Sequence, residues 1–504
     1  MNLKILLIAV TLLNFFLPLG FVPLFDLDEG AFSEATREML ASGNYLTTYL
    51  NGDLRFDKPI LIYWLQALSV KIFGLNEFAL RLPSALAASL WAFAIWHFAK
   101  RYFNEKVAFY ATLSMLGALQ INLIAKAAIA DALLNLFIAL SLFAVWIYLE
   151  SGRLRWLYMA FAAIALGFLT KGPVAVLVPL ATTFLYLLSK RDLKSFFKTI
   201  FNPIGIAIFI TIAMPWYILE YLDQGEKFIN GFFLKHNLER FSSTFESHRG
   251  SFFYYIPVLL IGFLPFTTPL LKAFFRIKSF LAEPLMRYLL LWFLFVFLFF
   301  SFSGTKLPHY VIYGYTPLFL FIGWIMANSK IELTWGFLLP SLLLLGILLF
   351  FPLILEQIPP KNGYYEALFT AGKEIFGVKF QIITAALIVT FILLQLLPLN
   401  LEFKVAIIAA LFGLYINMVA IRNYALVVQQ PIKEAALYAK RKNLQVILYR
   451  FTKPSFLVYR EDLSPKREPK VGDYILTQKH NLAKFKKYSV QYSKNGLYLI
   501  RIEQ

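Results

Sequence analysis

The chain has no cysteine. That excludes disulfides, thiolate chemistry and cysteine-ligated zinc or iron–sulfur centres. Charge is scarce as well: 15% of the 504 residues are charged, against roughly 25% in a soluble globular protein. So little charge excludes a soluble enzyme and a disordered chain. The five histidines are scattered, at His97, His236, His248, His309 and His480. There is no HExxH, no Walker A sequence and no glycine-rich dinucleotide loop, which argues against a zinc hydrolase or a nucleotide-driven pump. What the chain does have is apolar surface. Hydrophobic residues make up 59%, aromatics 18%, and 53 residues are Phe. With a mean hydropathy of +0.66, this is the composition of a polytopic membrane protein with aromatic belts at the interfaces.

A first apolar run extends from Leu3 to about Phe25 and is followed by Asp26-Leu27-Asp28-Glu29 without a small-residue cleavage site. It reads as a retained transmembrane helix rather than a signal peptide. Further runs long enough to span a bilayer lie near 79–99, 107–124, 131–149, 156–171, 173–188, 201–221, 252–274, 286–303, 311–328, 334–354, 379–398 and 404–420, which makes about 13 spans in all. With the N-terminus inside, the inner loops hold 16 basic and 6 acidic residues, as the positive-inside rule requires. Three longer segments then fall outside, at 26–78, 222–251 and 355–378, and so does the C-terminus. Within 26–78, Ala31–Leu40 and Ile60–Phe73 have helical spacing with apolar faces. They read as amphipathic helices on the membrane surface, joined through an Asn51-Gly52-Asp53 turn.

The division expected is a membrane domain over 1–420 and a soluble α/β domain over 421–504. The second has a helical pattern at 430–442 and strand-like runs at 445–451, 456–459, 474–477, 489–492 and 497–502, with an Asn495-Gly496 hairpin turn before the last. It contains 17 basic and 6 acidic residues, a large part of the net charge of +19. Since topology accounts for the excess in the membrane part, nucleic acid is not expected as a partner. No internal repeat is visible, which counts against a secondary transporter.

Six polar clusters fall on the outer side under this topology. They are Asp26, Asp28 and Glu29; Arg55, Asp57 and Lys58; Lys126 and Asp131; Lys171; Asn237, Glu239, Arg240 and His248; and Lys306, His309 and Tyr310. Asp26 reads as a helix end in water. Two cations beside a surface helix suit a lipid phosphate. Ionisable residues inside a folded-back apolar segment are costly and are functional or paired, so Lys126–Asp131 is either a site or a structural pair. A reaction gathered here would have no ATP and would draw its driving force from an activated lipid.

The motifs Asp28-Glu29, Ser33–Met39, Phe56-Asp57-Lys58-Pro59, Arg81-Leu82-Pro83-Ser84, Thr170-Lys171-Gly172-Pro173, His248-Arg249-Gly250 and Lys306-Leu307-Pro308 resemble the aminoarabinose lipid A transferases. These are GT-C membrane glycosyltransferases related to protein O-mannosyltransferases. The resemblance covers about residues 1–330. It implies a mainly α membrane protein with juxtamembrane helices and a small C-terminal periplasmic domain, in the bacterial inner membrane with a cytoplasmic N-terminus. It implies a polyprenyl-phosphate-linked sugar as donor, with Asp28 beside the reacting centre and Lys58 on the donor phosphate. Two positions depart from the family pattern: Ala31 stands where the family often has Arg, and Arg55 where it often has Tyr. Arg55 is expected to supply the missing cation.

The function expected is sugar transfer from a polyprenyl phosphate to a lipid A-type glycolipid. Alternatives are transfer to protein Ser/Thr and, in another class, a lipid-glycan flippase, which should carry polar groups through the membrane and on both faces. The candidate catalytic residues are Asp28, Asp131 and Glu29, and the donor-phosphate ligands are Lys58, Arg55 and Lys306. Asp57, Lys171, Arg240, His248, His309 and Tyr310 are further members of the site. No cofactor is certain from this reading, and metal dependence stays open. A divalent metal is compatible with the carboxylates, although no ligand spacing is diagnostic. The oligomeric state and the sugar (aminoarabinose, galacturonic acid or a neutral hexose) stay open.

Overall fold

The computed structural model describes residues 2–239, 250–329 and 335–504. The chain is a multi-pass helical membrane protein with a small mixed sheet near its C-terminus. Among the described residues, eight helices are long and apolar enough to cross a membrane, or nine if a bent pair counts as one span. This is fewer than the 13 expected, for a local reason. The run at 107–124 breaks at Ala118, whose extended backbone (ψ 131°) separates Glu105–Gly117 from Leu119–Ile124. The run at 252–274 is divided into Tyr255–Gly262 and Thr267–Phe274 around Leu264-Pro265. The run at 334–354 bends by 60° between Gly336–Leu349 and Phe351–Gln357. The first helix and the Val174–Ser189 helix form, but both are short for a span.

The elements that build the candidate site are few. Helix α1 is Leu3–Phe16. After a turn comes α2, Asp28–Ser42, which has two of its four acids, Asp28 and Glu29, in the first turn and ends at a left-handed Gly43, a common C-terminal stop. Two short strands, β1 (Tyr49–Leu50) and β2 (Asp53–Leu54), pair antiparallel around Asn51-Gly52. Both turn residues have positive φ, 52° and 77°, which suits this tight hairpin. Helix α3 is Leu61–Phe73 and α4 is Glu77–Tyr102. The two helices expected in 26–78 thus form within a few residues of their expected bounds. Helices α5 (Asp131–Ser151) and α6 (Leu154–Lys171) form a tightly packed antiparallel pair. Helix α7 is Pro284–Phe302, and α8 is Pro308–Asn328 with its first seven residues wound as a 3₁₀ helix. The long α9, Leu401–Val428, ends the bundle and runs through position 421.

One hydrophobic core runs through the bundle and includes Phe15, Tyr63, Trp91, Leu134 and Trp292. A second core belongs to the C-terminal fold. There α10 (Gln430–Arg441) and α11 (Pro454–Arg460) pack on a four-stranded sheet in the order β3-β4-β6-β5. The strands are β3 Val446–Leu448, β4 Tyr474–Gln478, β5 Tyr488–Lys494 and β6 Leu497–Ile502. The β3–β4 pair is parallel and the others antiparallel. Side chains alternate across the sheet. Val446, Leu476 and Leu499 face the helices, while Ile447, Ile475 and Ile500 form a small cluster on the other face. The Asn495-Gly496 turn joins β5 to β6 as expected, with both residues at positive φ. The strand expected at 456–459 is instead α11. Its Pro454 lies in the first turn, where a missing N–H costs nothing, and the helix forms the crossover that a parallel β3–β4 pair needs.

Candidate functional site

Asp28 and Glu29 open α2, where the positive end of the helix favours carboxylates. Successive helical positions diverge by about 100°, so the two side chains enter different surroundings. Glu29 is 5% exposed. Arg81 of α4 grips it bidentately, Nε donating to Oε1 at 2.9 Å and Nη2 to Oε2 at 2.8 Å. The backbone N–H groups of Ala128 and Phe25 donate to the same two oxygens at 2.8 and 2.9 Å. The other guanidinium N–H groups go to the carbonyls of Leu19, Val22 and Pro23. Burial pushes the Glu29 carboxyl up, but Arg81 and these donors outweigh it and hold it below the usual carboxylate range. Glu29, expected among the catalytic acids, is therefore the centre of a saturated clasp. Asp28 is exposed. Among the described residues its carboxylate accepts no hydrogen bond and forms no ion pair.

Asp131 and Lys171 meet where α5 begins and α6 ends. Each charge sits at the helix end whose dipole favours it. Lys171 Nζ donates to Asp131 Oδ1 at 2.7 Å, and Tyr313 Oη donates to the same oxygen at 2.9 Å. The ammonium also lies 5.4 Å from the Tyr313 ring centre and 6.0 Å from that of Tyr310, within cation–π range. Gly172 makes the sharp turn after Lys171, with φ 77° and no room for a Cβ against Phe232. The structural pair considered for Lys126 and Asp131 does not form. Lys126 precedes α5 and its ammonium donates to the Asn417 side chain of α9 instead.

His309 joins these groups. The charges of Asp131, Lys171, Asp28 and Lys58 all act on its ring, and Tyr310 packs edge-on against it at 5.0 Å. Lys58 Nζ donates to the Asp57 carbonyl at 2.8 Å. Arg55 pairs with the Asp57 carboxylate at 3.0 Å and lies over the Phe32 ring at 5.6 Å. Arg55 also interacts with the Tyr63 hydroxyl and with Asp28. Lys306 is buried, and its ammonium donates to the Ser303 carbonyl at 2.7 Å. Asp28, Lys58, Asp131, Lys171 and His309 thus form one electrostatic constellation, with Arg55 and Asp57 at its side. Arg240 and His248 lie outside the described residues. Among the described residues no three His, Asp or Glu side chains come together as metal ligands.

Asp26 does not end in water. Its carboxylate accepts from Ser455 N at 2.9 Å and from Ser455 Oγ at 2.6 Å. The sequence reading also missed roles for Arg81, Tyr63 and Tyr313. Tyr313 had a readable signal. It follows Tyr310 by three residues in a 3₁₀ turn, and that spacing puts two side chains on one face. Arg81 stood out only as part of a family motif, and nothing in the string named its partner, which lies 52 residues away in sequence.

A family model described as dolichyl-phosphate-mannose-protein mannosyltransferase matches residues 57–219. An uncharacterized protein of Aquifex aeolicus is 34% identical over 336 residues, 66% of this chain and 74% of that protein. The undecaprenyl phosphate-α-4-amino-4-deoxy-L-arabinose arabinosyl transferase of Aeromonas hydrophila is 31% identical over 327 residues, 63% of this chain and 58% of that protein. The chain thus spans less than two thirds of the length of these named transferases. A crystal structure of ArnT from Cupriavidus metallidurans bound to undecaprenyl phosphate superimposes with a TM-score of 0.82 at 21% identity, covering 99% of this chain and 97% of that one. The fold is the same from end to end.

Proposed function

The chain belongs to the aminoarabinose-transferase-like membrane proteins of GT-C fold, and from that footing we propose that it is a polyprenyl-phosphate-sugar-dependent glycosyltransferase. Its donor is an undecaprenyl-phosphate-linked sugar and its acceptor a lipid A-type glycolipid. The site faces the periplasm, the N-terminus is cytoplasmic, and residues 421–504, whose first turns complete α9, form a periplasmic domain after the 1–420 membrane domain. The inner-loop excess of 16 basic over 6 acidic residues supports this orientation.

The observation that carries the reading is the contrast at the start of α2. Asp28, an exposed carboxylate with no hydrogen bond or ion pair among the described residues, shares its surroundings with Lys58 and with the Asp131–Lys171 pair. Groups left open in a preorganised polar site are those a substrate completes. In the reaction the bond between the anomeric carbon and the phosphate oxygen breaks, and an acceptor oxygen bonds to that carbon. The departing polyprenyl phosphate keeps the bonding electrons. Lys58, Arg55 and Lys306 supply cationic donors for that charge. With a hydroxyl acceptor, Asp28 takes the proton as general base. With a phosphate acceptor, which is already anionic, Asp28 balances the cations and orients the reacting groups. Asp131, fixed by Lys171 and Tyr313, holds the ammonium near His309 and does not need to change its protonation state.

Mass spectrometry of lipid A and polyprenyl lipids from cells with and without the protein tests the proposal. A sugar added to lipid A, and lost with Asp28→Ala, is the expected result. A sugar found on protein Ser/Thr, with no glycolipid changed, replaces the acceptor. The mannosyltransferase model that matches residues 57–219 favours that second reading.

A further inference from the structure

Asp26 lies two residues before Asp28, and its carboxylate contacts come from the far end of the chain. Ser455, in the first turn of α11, gives it both an N–H, at 2.9 Å, and an O–H, at 2.6 Å. The Gln429 amide faces the same residue; turned end for end, the orientation that satisfies both of its ends, its nitrogen donates to Asp26 Oδ2 at 3.2 Å and its oxygen accepts from the Asp26 backbone N–H at 3.1 Å. The contact is close-fitting. A Cβ at Gly30 would stand 2.5 Å from Asp26 Oδ1 and 2.6 Å from Ser455 N, and the second of these is backbone that cannot swing away.

The same strip of the C-terminal fold ties down the rest of the first loop. Tyr459 Oη accepts from Leu24 N at 2.7 Å and donates to Glu77 Oε1 at 2.9 Å. Lys433 of α10 pairs with Glu77 as well. Arg37 of α2 donates to the Glu461 carbonyl at 3.3 Å. Asn51 and Ser464 exchange two hydrogen bonds, at 3.1 and 2.8 Å. Neither Ser455 nor Gln429 belongs to the electrostatic constellation itself.

We propose that Ser455, with Gln429, is a positioning residue for the reaction: it anchors Asp26 and thereby fixes the turn from which Asp28 projects. The inference rests on the transferase reading above. A carboxylate that must act within hydrogen-bond reach of a substrate loses rate when its backbone can wander by about 1 Å. Among the described residues no group of the membrane bundle donates to the Asp26 carboxylate, so the C-terminal fold becomes part of the catalytic apparatus without touching the substrate.

The test uses full-length protein in nanodiscs. Sugar transfer is followed from undecaprenyl-phosphate-linked aminoarabinose to lipid A, and binding is followed with undecaprenyl phosphate. Ser455→Ala should lower kcat by about tenfold, leave the donor KM and undecaprenyl phosphate affinity within about twofold, and lower the thermal midpoint only modestly, the backbone N–H donor to Asp26 being kept. Ser455→Thr, which keeps the hydroxyl, should restore most of kcat. Hydrogen exchange should quicken at the amides of 26–31 in Ser455→Ala and in Gly30→Ala, where the added methyl wedges α11 away. A kcat within twofold of the parent overturns the proposal. So does unchanged exchange at 26–31, or a kcat loss that Thr does not rescue. If the unaltered protein transfers no sugar, the transferase reading fails, and the exchange result alone then decides whether Ser455 fixes the turn.

Discussion

Around Glu29 every polar atom is answered: a bidentate guanidinium, two backbone N–H groups and, for the guanidinium itself, three carbonyls. Around Asp28, one residue earlier, cations are near but the carboxylate has no partner among the described residues. The two regions share a helix turn and a residue chemistry. They differ in whether the fold has completed them. A saturated buried pair holds the structure together, since removing either partner strands a charge. An incomplete polar site costs stability and is kept where a substrate completes it. The Asp131–Lys171–Tyr313 group lies between these extremes, fixed but adjacent to the open carboxylate.

Substitutions can break this comparison. Asp28→Asn should reduce transfer by about 10²–10⁴-fold, the range for losing an acid–base group, with the thermal midpoint in detergent unchanged. A parallel loss of folded protein would instead place Asp28 with the clasp. Arg81→Met should do the reverse. It leaves Glu29 buried without its partner, at a cost of about 3–5 kcal/mol, read as a lower thermal midpoint and lower yield. Adding Glu29→Gln should recover part of that loss, because the stranded charge is removed. Lys171→Met should show both signatures in weaker form. Losing a hydrogen bond to a charged group is worth about 1.5–3 kcal/mol, so transfer should fall by roughly tenfold to a hundredfold alongside a modest drop in midpoint.

The smallest effect concerns a third carboxylate of α2. Glu34 is fully buried, and burial pushes its carboxyl up to about 7 against the pull of Arg37. Folded protein therefore holds that proton over a range where the unfolded chain, near the ordinary glutamate value of 4.5, has lost it. Stability from this group is complete below the unfolded value and is lost as pH rises through about 7. Thermal midpoints measured from pH 5 to 8 should decline, and Glu34→Gln should flatten the slope. An unchanged slope would mean that Arg37 alone sets the ionisation.

Much of the architecture was legible because it follows from short-range pattern. Apolar runs of span length, the helical spacing of α2 and α3, and the Asn-Gly turn before β6 all signal through neighbouring residues, although α2 is buried on every face from Glu29 to Met39 and does not lie on a surface. The errors have equally local causes. Phe456–Tyr459 reads as a strand until Pro454 is seen to start a helix and the β3–β4 pair to need a crossover. A break at Ala118 depends on backbone geometry that an apolar string conceals. The site was legible by residue but not by role. Asp28 and Glu29 are adjacent acids with nothing in the string to tell them apart, and Lys126 was as close to Asp131 in sequence as any cation.

The sequence by itself determined that the chain lives in a membrane and pointed to ionisable residues that the fold brings together. Apolar length and basic loops act residue by residue, and no distant contact alters them. Tertiary structure alone decided which charges are spent. Glu29 closes on Arg81 across 52 positions, Asp131 on Lys171 across 40, and Asp26 on Ser455 across 429. Each choice turns on desolvation and on which donors the fold brings within about 3 Å. Those distances exist only once the helices have packed.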